Sequence, residues 1–170
     1  MLFRSGARCL PNTGYVWEKV ADIETGVVNP VCAELQSKLL NAAKRNDVEA
    51  ARSALSAGAH PDTAGFEKPR FYYEAQEPLV RAVRAGSTEV VGLLLDYGAN
   101  VEQEECCCMS CYTPLSAAIE GEHVEIVKLL LERGADLNHV DQYDPTVNAL
   151  RRAERKGNRE IIDLVRRAAE

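Results

Sequence analysis

The apolar positions of "TPLSAAIEGEHVEIVKLLLERGADLN", residues 113–138, fall into two short runs separated by a polar turn. The second run sets Val124, Val127, Leu130 and Leu131 at helical spacing, so the stretch reads as two helices folded back on each other. The same pattern returns when the chain is aligned to itself. "EPLVRAVRAGSTEVVGLLLDYGANVE" (77–102) matches closely and "SKLLNAAKRNDVEAARSALSAGAHPD" (37–62) more loosely. A fourth copy, "NALRRAERKGNREIIDLVRRAAE" (148–170), stops before a terminal Gly-Ala. The starts Ser37, Glu77, Thr113 and Asn148 lie 40, 36 and 35 residues apart. Units of fixed length joined by spacers of varying length mark a stacked helical array.

Local chemistry supports each unit. Thr113, Asn148 and Ser37 are good caps for the first orphan amides of a helix, whereas Glu77 is a poor one. Pro78 and Pro114 follow directly, where a missing N–H costs nothing. The small pairs Ala42/Ala43, Ala82/Val83 and Ala118/Ile119 leave room for a second helix. Gly86, Gly121 and Gly157 sit at or beside the inter-helix turn, and Gly58, Gly98 and Gly134 follow the second helix. No unit is large enough to bury its own apolar face, so each needs a neighbour.

The third unit resembles the ankyrin repeat, whose T-P-L-H-x-A signature sits in a unit of 33 residues. The resemblance spans residues 37–170 and implies an all-α solenoid of about four helix–turn–helix units. Ser116 stands where the family usually has His, as do Leu40, Val80 and Arg151 in the other units. Without the family's Thr–His bond, these units are expected to lean on apolar packing. The last unit, with Arg151, Arg152, Arg155 and Arg159, resembles a capping repeat with a polar outer face. Residues 1–36, including "GYVWEKVADIETGVV", match no repeat and are expected to cover the open edge of the first.

Against the 33-residue period, the spacings leave insertions of 7, 3 and 2 residues in the loops that the family builds as β-hairpin fingers. The resemblance implies that partners are gripped by finger tips and by the exposed side of each first helix. In the first unit that surface is Lys44 and Arg45. In the second it is Arg84 with the finger residues Phe71, Tyr72, Tyr73, Glu74 and Gln76. In the third it is Met109, Ser110, Tyr112 and Glu120, and in the fourth Asp144, Pro145, Val147, Arg155 and Lys156. Aromatic residues on loops fit interface anchors.

Composition narrows the field. A chain of 170 residues suits one domain, and an aromatic content of 6% beside abundant Ala and Leu favours helices over a sandwich. No apolar run approaches a membrane span, and the N-terminus lacks the apolar core of a signal peptide, so the expected compartment is the cytosol with reduced thiols. The net charge is −6, and residues 101–144 hold ten acids opposed only by Lys128 and Arg133. That field disfavours nucleic acid and favours a partner with a basic surface, and no membrane partner is expected. A monomer on its own is expected.

Chemistry has few candidates. No phosphate-binding glycine loop, dinucleotide fingerprint or H-E-x-x-H is present, and His60, His123 and His139 have no nucleophile beside them in a known motif, so neither enzyme activity nor a cofactor is expected. Cys106, Cys107, Cys108 and Cys111 form the one cluster. Cys108 and Cys111 make a C-x-x-C, but a structural zinc site wants four ligands. Cys106 and Cys107 are awkward as the others within six consecutive residues, and Cys9, Cys32 or His139 could complete a tetrahedron only if folding brings them near. The neighbouring Glu102, Glu104 and Glu105 argue against a reactive thiolate. Reduced thiols, a disulfide and a metal all remain open. The sequence therefore reads as a non-enzymatic protein-binding module. An inhibitor or immunity-type protein fits its acidic, compact character; an adaptor or host-targeting effector and a metal- or redox-responsive binder are the alternatives.

Overall fold

Pro30 opens the first helix, where its missing N–H is one of the orphan donors in any case. The computed structural model describes residues 30–62, 77–107, 110–140 and 144–170, of which 105–107 and 110–111 are described by their backbone. Eight helices and one hairpin follow in order: α1 Pro30–Arg45, α2 Val48–Ser56, α3 Pro78–Arg84, α4 Thr88–Asp96, β1 Glu105–Cys107, β2 Ser110–Tyr112, α5 Pro114–Glu120, α6 Val124–Glu132, α7 Ala149–Lys156 and α8 Arg159–Ala168. Within each unit the two helices pack together. Between units α1, α3, α5 and α7 form one layer and α2, α4, α6 and α8 the other. This is the stacked all-α array expected from the repeats.

One boundary moves. The first helix begins seven residues before the expected start, and Ser37 lies inside it rather than at its cap. The extension is anchored by Gln36, which is only 1% exposed. Its Nε2 donates to the His60 carbonyl at 3.0 Å while its Oε1 accepts from the His60 amide at 3.2 Å. A single amide side chain thus ties the start of the first unit to its exit. Cys32 on the same helix is disulfide-bonded. That departs from the expectation of reduced thiols and removes Cys32 from the set that could complete a metal site.

The caps behave as their chemistry dictates. Thr113 accepts from the Ser116 amide at 3.2 Å and Asn148 from the Arg151 amide at 3.0 Å, while Glu77 makes no side-chain cap bond. Ser116 compensates for the missing histidine, because its hydroxyl donates back to the Thr113 carbonyl at 3.0 Å. The third unit therefore keeps a polar clasp at its start, beyond the apolar packing expected of it.

The turn between paired helices needs one left-handed residue, and it falls at the same place in every unit: Asn46, Gly86, Glu122 and Gly157. In the third unit the glycine stands one position early. Gly121 has φ −79°, and Glu122 carries the left-handed φ of 56°, a backbone that costs a side-chain-bearing residue roughly 1–2 kcal/mol. Gly121 is held for another reason. A Cβ there would lie 2.6 Å from the His123 ring, which also packs against Gly86 of the preceding unit. His123 is thus a bridge between two turns, in line with a structural histidine.

The core runs the length of the stack. Leu39, Leu79, Leu94, Leu115, Ile126, Leu130 and Ile161 are fully buried, and the small residues Ala43, Ala82, Ala118 and Ala153 let the two layers meet. No helix among the described residues is long and apolar enough to cross a membrane.

Candidate binding surface

Four equivalent helix ends stand side by side in the first-helix layer, and the sequence dictates what each presents. The third-turn positions Lys44, Arg84, Glu120 and Arg155 and the next residues Arg45, Ala85, Gly121 and Lys156 are exposed or half-buried in all four units. One turn earlier, Asn41 is exposed, Arg81 half-buried, and Ala117 and Arg152 buried, so this row sinks inward along the stack. The layers differ in sign. Helices α1, α3, α5 and α7 carry nine Lys or Arg against three Glu, whereas α2, α4, α6 and α8 carry five against seven acids. A net charge of −6 therefore conceals a basic first-helix layer.

The fourth and third units are joined through Glu120. Its Oε1 accepts from Arg152 Nη1 at 2.8 Å and from Arg155 Nη2 at 2.9 Å, and Lys156 Nζ stands 3.8 Å from Oε2. Burial pushes the Glu120 carboxyl up, but the bonds and charges of Arg152 and Arg155 outweigh it and hold the group below its ordinary value of 4.5. Arg152 is only 4% exposed, so it does not belong to the polar outer face expected of a capping repeat. The Tyr112 ring at the end of β2 receives two guanidinium groups, those of Arg84 and Arg152, each 5.3 Å from its centroid. Tyr112 is half-buried, so it works as a spacer between units as much as a contact residue.

The acids of the 101–144 window are largely engaged at home. Glu102 accepts from the Asp136 amide at 2.7 Å, repeating the bond that Asp62 makes to the Asn100 amide at 2.7 Å one unit earlier. Asp136 and Asp144 close local turns on the Asn138 and Thr146 amides. The Thr146 hydroxyl and amide hold the Asp144 carboxyl below its ordinary range. Glu104 faces His139 Nδ1 at 3.6 Å. These carboxylates still contribute to the field, but their placement follows from joining units, for Glu102 and Glu104, and from closing local turns, for Asp136 and Asp144.

Of the residues expected at the interface, Lys44, Arg45, Arg84, Asp144 and Arg155 are exposed, and Tyr112, Glu120, Val147 and Lys156 are half-buried. Val147 also donates its amide to the Asp144 carbonyl at 3.0 Å. Ser110 lies in β2, while Phe71, Tyr72, Tyr73, Glu74, Gln76 and Met109 fall outside the described residues. Sequence reasoning missed Arg81 as part of the basic layer. Its place one turn before Arg84, and Arg152's place one turn before Lys156, were the available signals.

The expected finger is a hairpin in which Glu105 pairs with Tyr112, Cys106 with Cys111 and Cys107 with Ser110. Strand alternation sets the Cys106/Cys111 pair on one face and the Cys107/Ser110 pair on the other. Between the third and fourth units, Thr113, Ser116, His139 and Arg152 line a recess of about 10 Å³, the size of one water. Ligand pockets need roughly 300–1,000 Å³.

The model of the family described as "Ankyrin repeats (3 copies)" matches residues 39–141. The fourth helix pair, α7 and α8, lies beyond the match but packs on the third as the third packs on the second. No curated protein matches the chain.

Proposed function

Since the chain belongs to the ankyrin-repeat family, a family of protein-interaction modules, we propose that it is a non-enzymatic binder whose partner lies across the first-helix ends and fingers, and that its role is inhibitory or immunity-type. The observation that carries this reading is the row of equivalent, solvent-facing positions along four stacked units. A rigid stack loses little conformational freedom when it grips a partner, so modest contacts suffice for affinity. The acid-rich finger run Glu102–Glu105 and the excess of acids in the second-helix layer support a basic patch on the partner where it meets that side.

The test is capture of a partner on the immobilised chain from the source cell's extract, followed by assay of the retained protein with and without one equivalent of the chain. Loss of the retained protein's activity supports the inhibitory role. Unchanged activity with recruitment of a third protein would favour an adaptor or effector. Tyr72→Ala and Tyr73→Ala are expected to weaken retention about tenfold each while leaving the melting temperature nearly unchanged. If nothing is retained above a heat-denatured control, the binding reading fails.

The hairpin register favours a second reading, that the finger is redox-sensitive. Residues directly opposed in an antiparallel pair have Cα atoms about 4.5–5.5 Å apart, within the span of a disulfide. A low-molecular-weight disulfide would take two electrons from the Cys106 and Cys111 thiols and leave as two thiols, closing the bond across the hairpin. Titratable thiols should fall by two on such treatment in the native chain and not in Cys111→Ser. An equal fall in both would remove the reading.

A further inference from the structure

The basic layer has a use that the overall charge hides. In the first two units the exposed helix ends present Lys44, Arg45 and Arg84, and no acid occupies any exposed third-turn position there. Among the described residues no carboxylate is bonded to Lys44 or Arg45. In the third unit the row contains its one acid, Glu120, which three cations of the fourth unit already surround. From the first unit to the fourth the row therefore stays net positive.

Its spacing is also defined. Neighbouring packed helices lie roughly 8–10 Å apart, so four units span about 30 Å. An extended chain advances about 3.3 Å per residue, and a side chain every third residue meets one unit each. We infer that the exposed row of first-helix ends, from Lys44 and Arg45 through Arg84 to Arg155 and Lys156, is the docking site for an extended acidic segment of a partner protein, with carboxylates about three residues apart. The inference rests on the protein-binding reading and names the chemistry of one contact within it. It is opposite in sign to the basic patch proposed for the finger side, so the partner is bipolar. A short peptide suits the row better than a nucleic acid, because a long polyanion would also meet the acids of the loops and of the second-helix layer.

The test uses the full chain and fluorescent peptides of about 12 residues, in which Glu-Gly-Ser is repeated, beside versions with Gln or Lys in place of Glu and an oligothymidine of matching length. At low salt the Glu peptide is expected to bind at least about tenfold more tightly than the Gln and Lys peptides, and to weaken as salt rises. The double variant Lys44→Glu/Arg45→Glu should abolish that preference without altering the melting temperature. Arg84→Glu should do the same, and it is the second arm because Arg84 also touches the Tyr112 ring. Tighter binding of the Lys peptide or of oligothymidine, or Glu-peptide binding indifferent to both variants, would overturn the inference. So would the absence of any peptide binding. In each of those cases retention of a native partner by the wild-type chain would leave the broader binding reading standing.

Discussion

Leu130→Ala should cost the domain about 3–5 kcal/mol in equilibrium urea unfolding, the largest loss expected from any single truncation in the third unit. Leu130 is 0% exposed and sits on α6, which packs against α4 on one side and α8 on the other. The equivalent positions are Ala54, Leu94 and Val165, all buried, so one column of side chains links the second-helix layer along the stack. Removing three carbons from its middle leaves a gap that four short helices held on both sides cannot close by shifting. In a quasi-one-dimensional fold each unit is stabilised chiefly by its neighbours, so a weakened third unit also loosens the fourth. A domain of this kind has about 5–15 kcal/mol in hand, and the loss should therefore be visible as early unfolding of α7 and α8. Val165→Ala, at the end of the column, should cost only about 1–2 kcal/mol, and Lys128→Ala on the exposed side of α6 less than about 0.5 kcal/mol. If Leu130→Ala were no worse than Lys128→Ala, α6 would not be packed as described.

Most of the fold is legible in the chain because the helices obey local rules. The spacing of Val124, Val127 and Leu130, the caps Thr113 and Asn148 and the glycines after the second helices of the first three units fix the helix pairs before any tertiary contact is considered. What escaped depended on neighbours. Ser37 has the chemistry of a cap, yet Gln36 gains more by bonding both polar groups of His60, twenty-four residues on, and the helix runs back to Pro30. Gly121 has the look of the left-handed turn residue, but the space beneath the His123 ring decides its identity and Glu122 takes the strained backbone. The binding surface was legible as positions and not as signs. A sequence average counts Glu102 and Asp136 as a steering field, while in the structure Glu102 ties one unit to the next and Asp136 closes a local turn. Arg152 reads as a polar surface residue because Glu120, the carboxylate bonded to it in the fold, lies in another unit.

That pair carries the second large expected effect. Glu120→Ala should destabilise the domain by about 2–4 kcal/mol, below the full 3–5 kcal/mol for breaking a buried pair because Glu120 itself is partly open to water. The loss comes from Arg152, whose side chain is 5% exposed and would give up the Glu120 carboxylate bonded to it at 2.8 Å. Arg152→Met alone should cost less, since it removes the buried charge and leaves Glu120 with Arg155 and Lys156. The double variant Glu120→Gln/Arg152→Met should be more stable than the sum of its parts by about 1–3 kcal/mol, the signature of direct coupling. Acid supplies an independent check. The folded chain holds the Glu120 carboxyl below its ordinary value of 4.5, so the unfolded chain binds the proton first. Its stabilising contribution is thus complete above that value and is lost as pH falls through the lower, folded one. The gap in melting temperature between wild type and Glu120→Gln should be constant at neutral pH and close on acidification below about 4.5. A gap that persisted unchanged into acid would mean that Glu120 acts through packing alone and not through its charge.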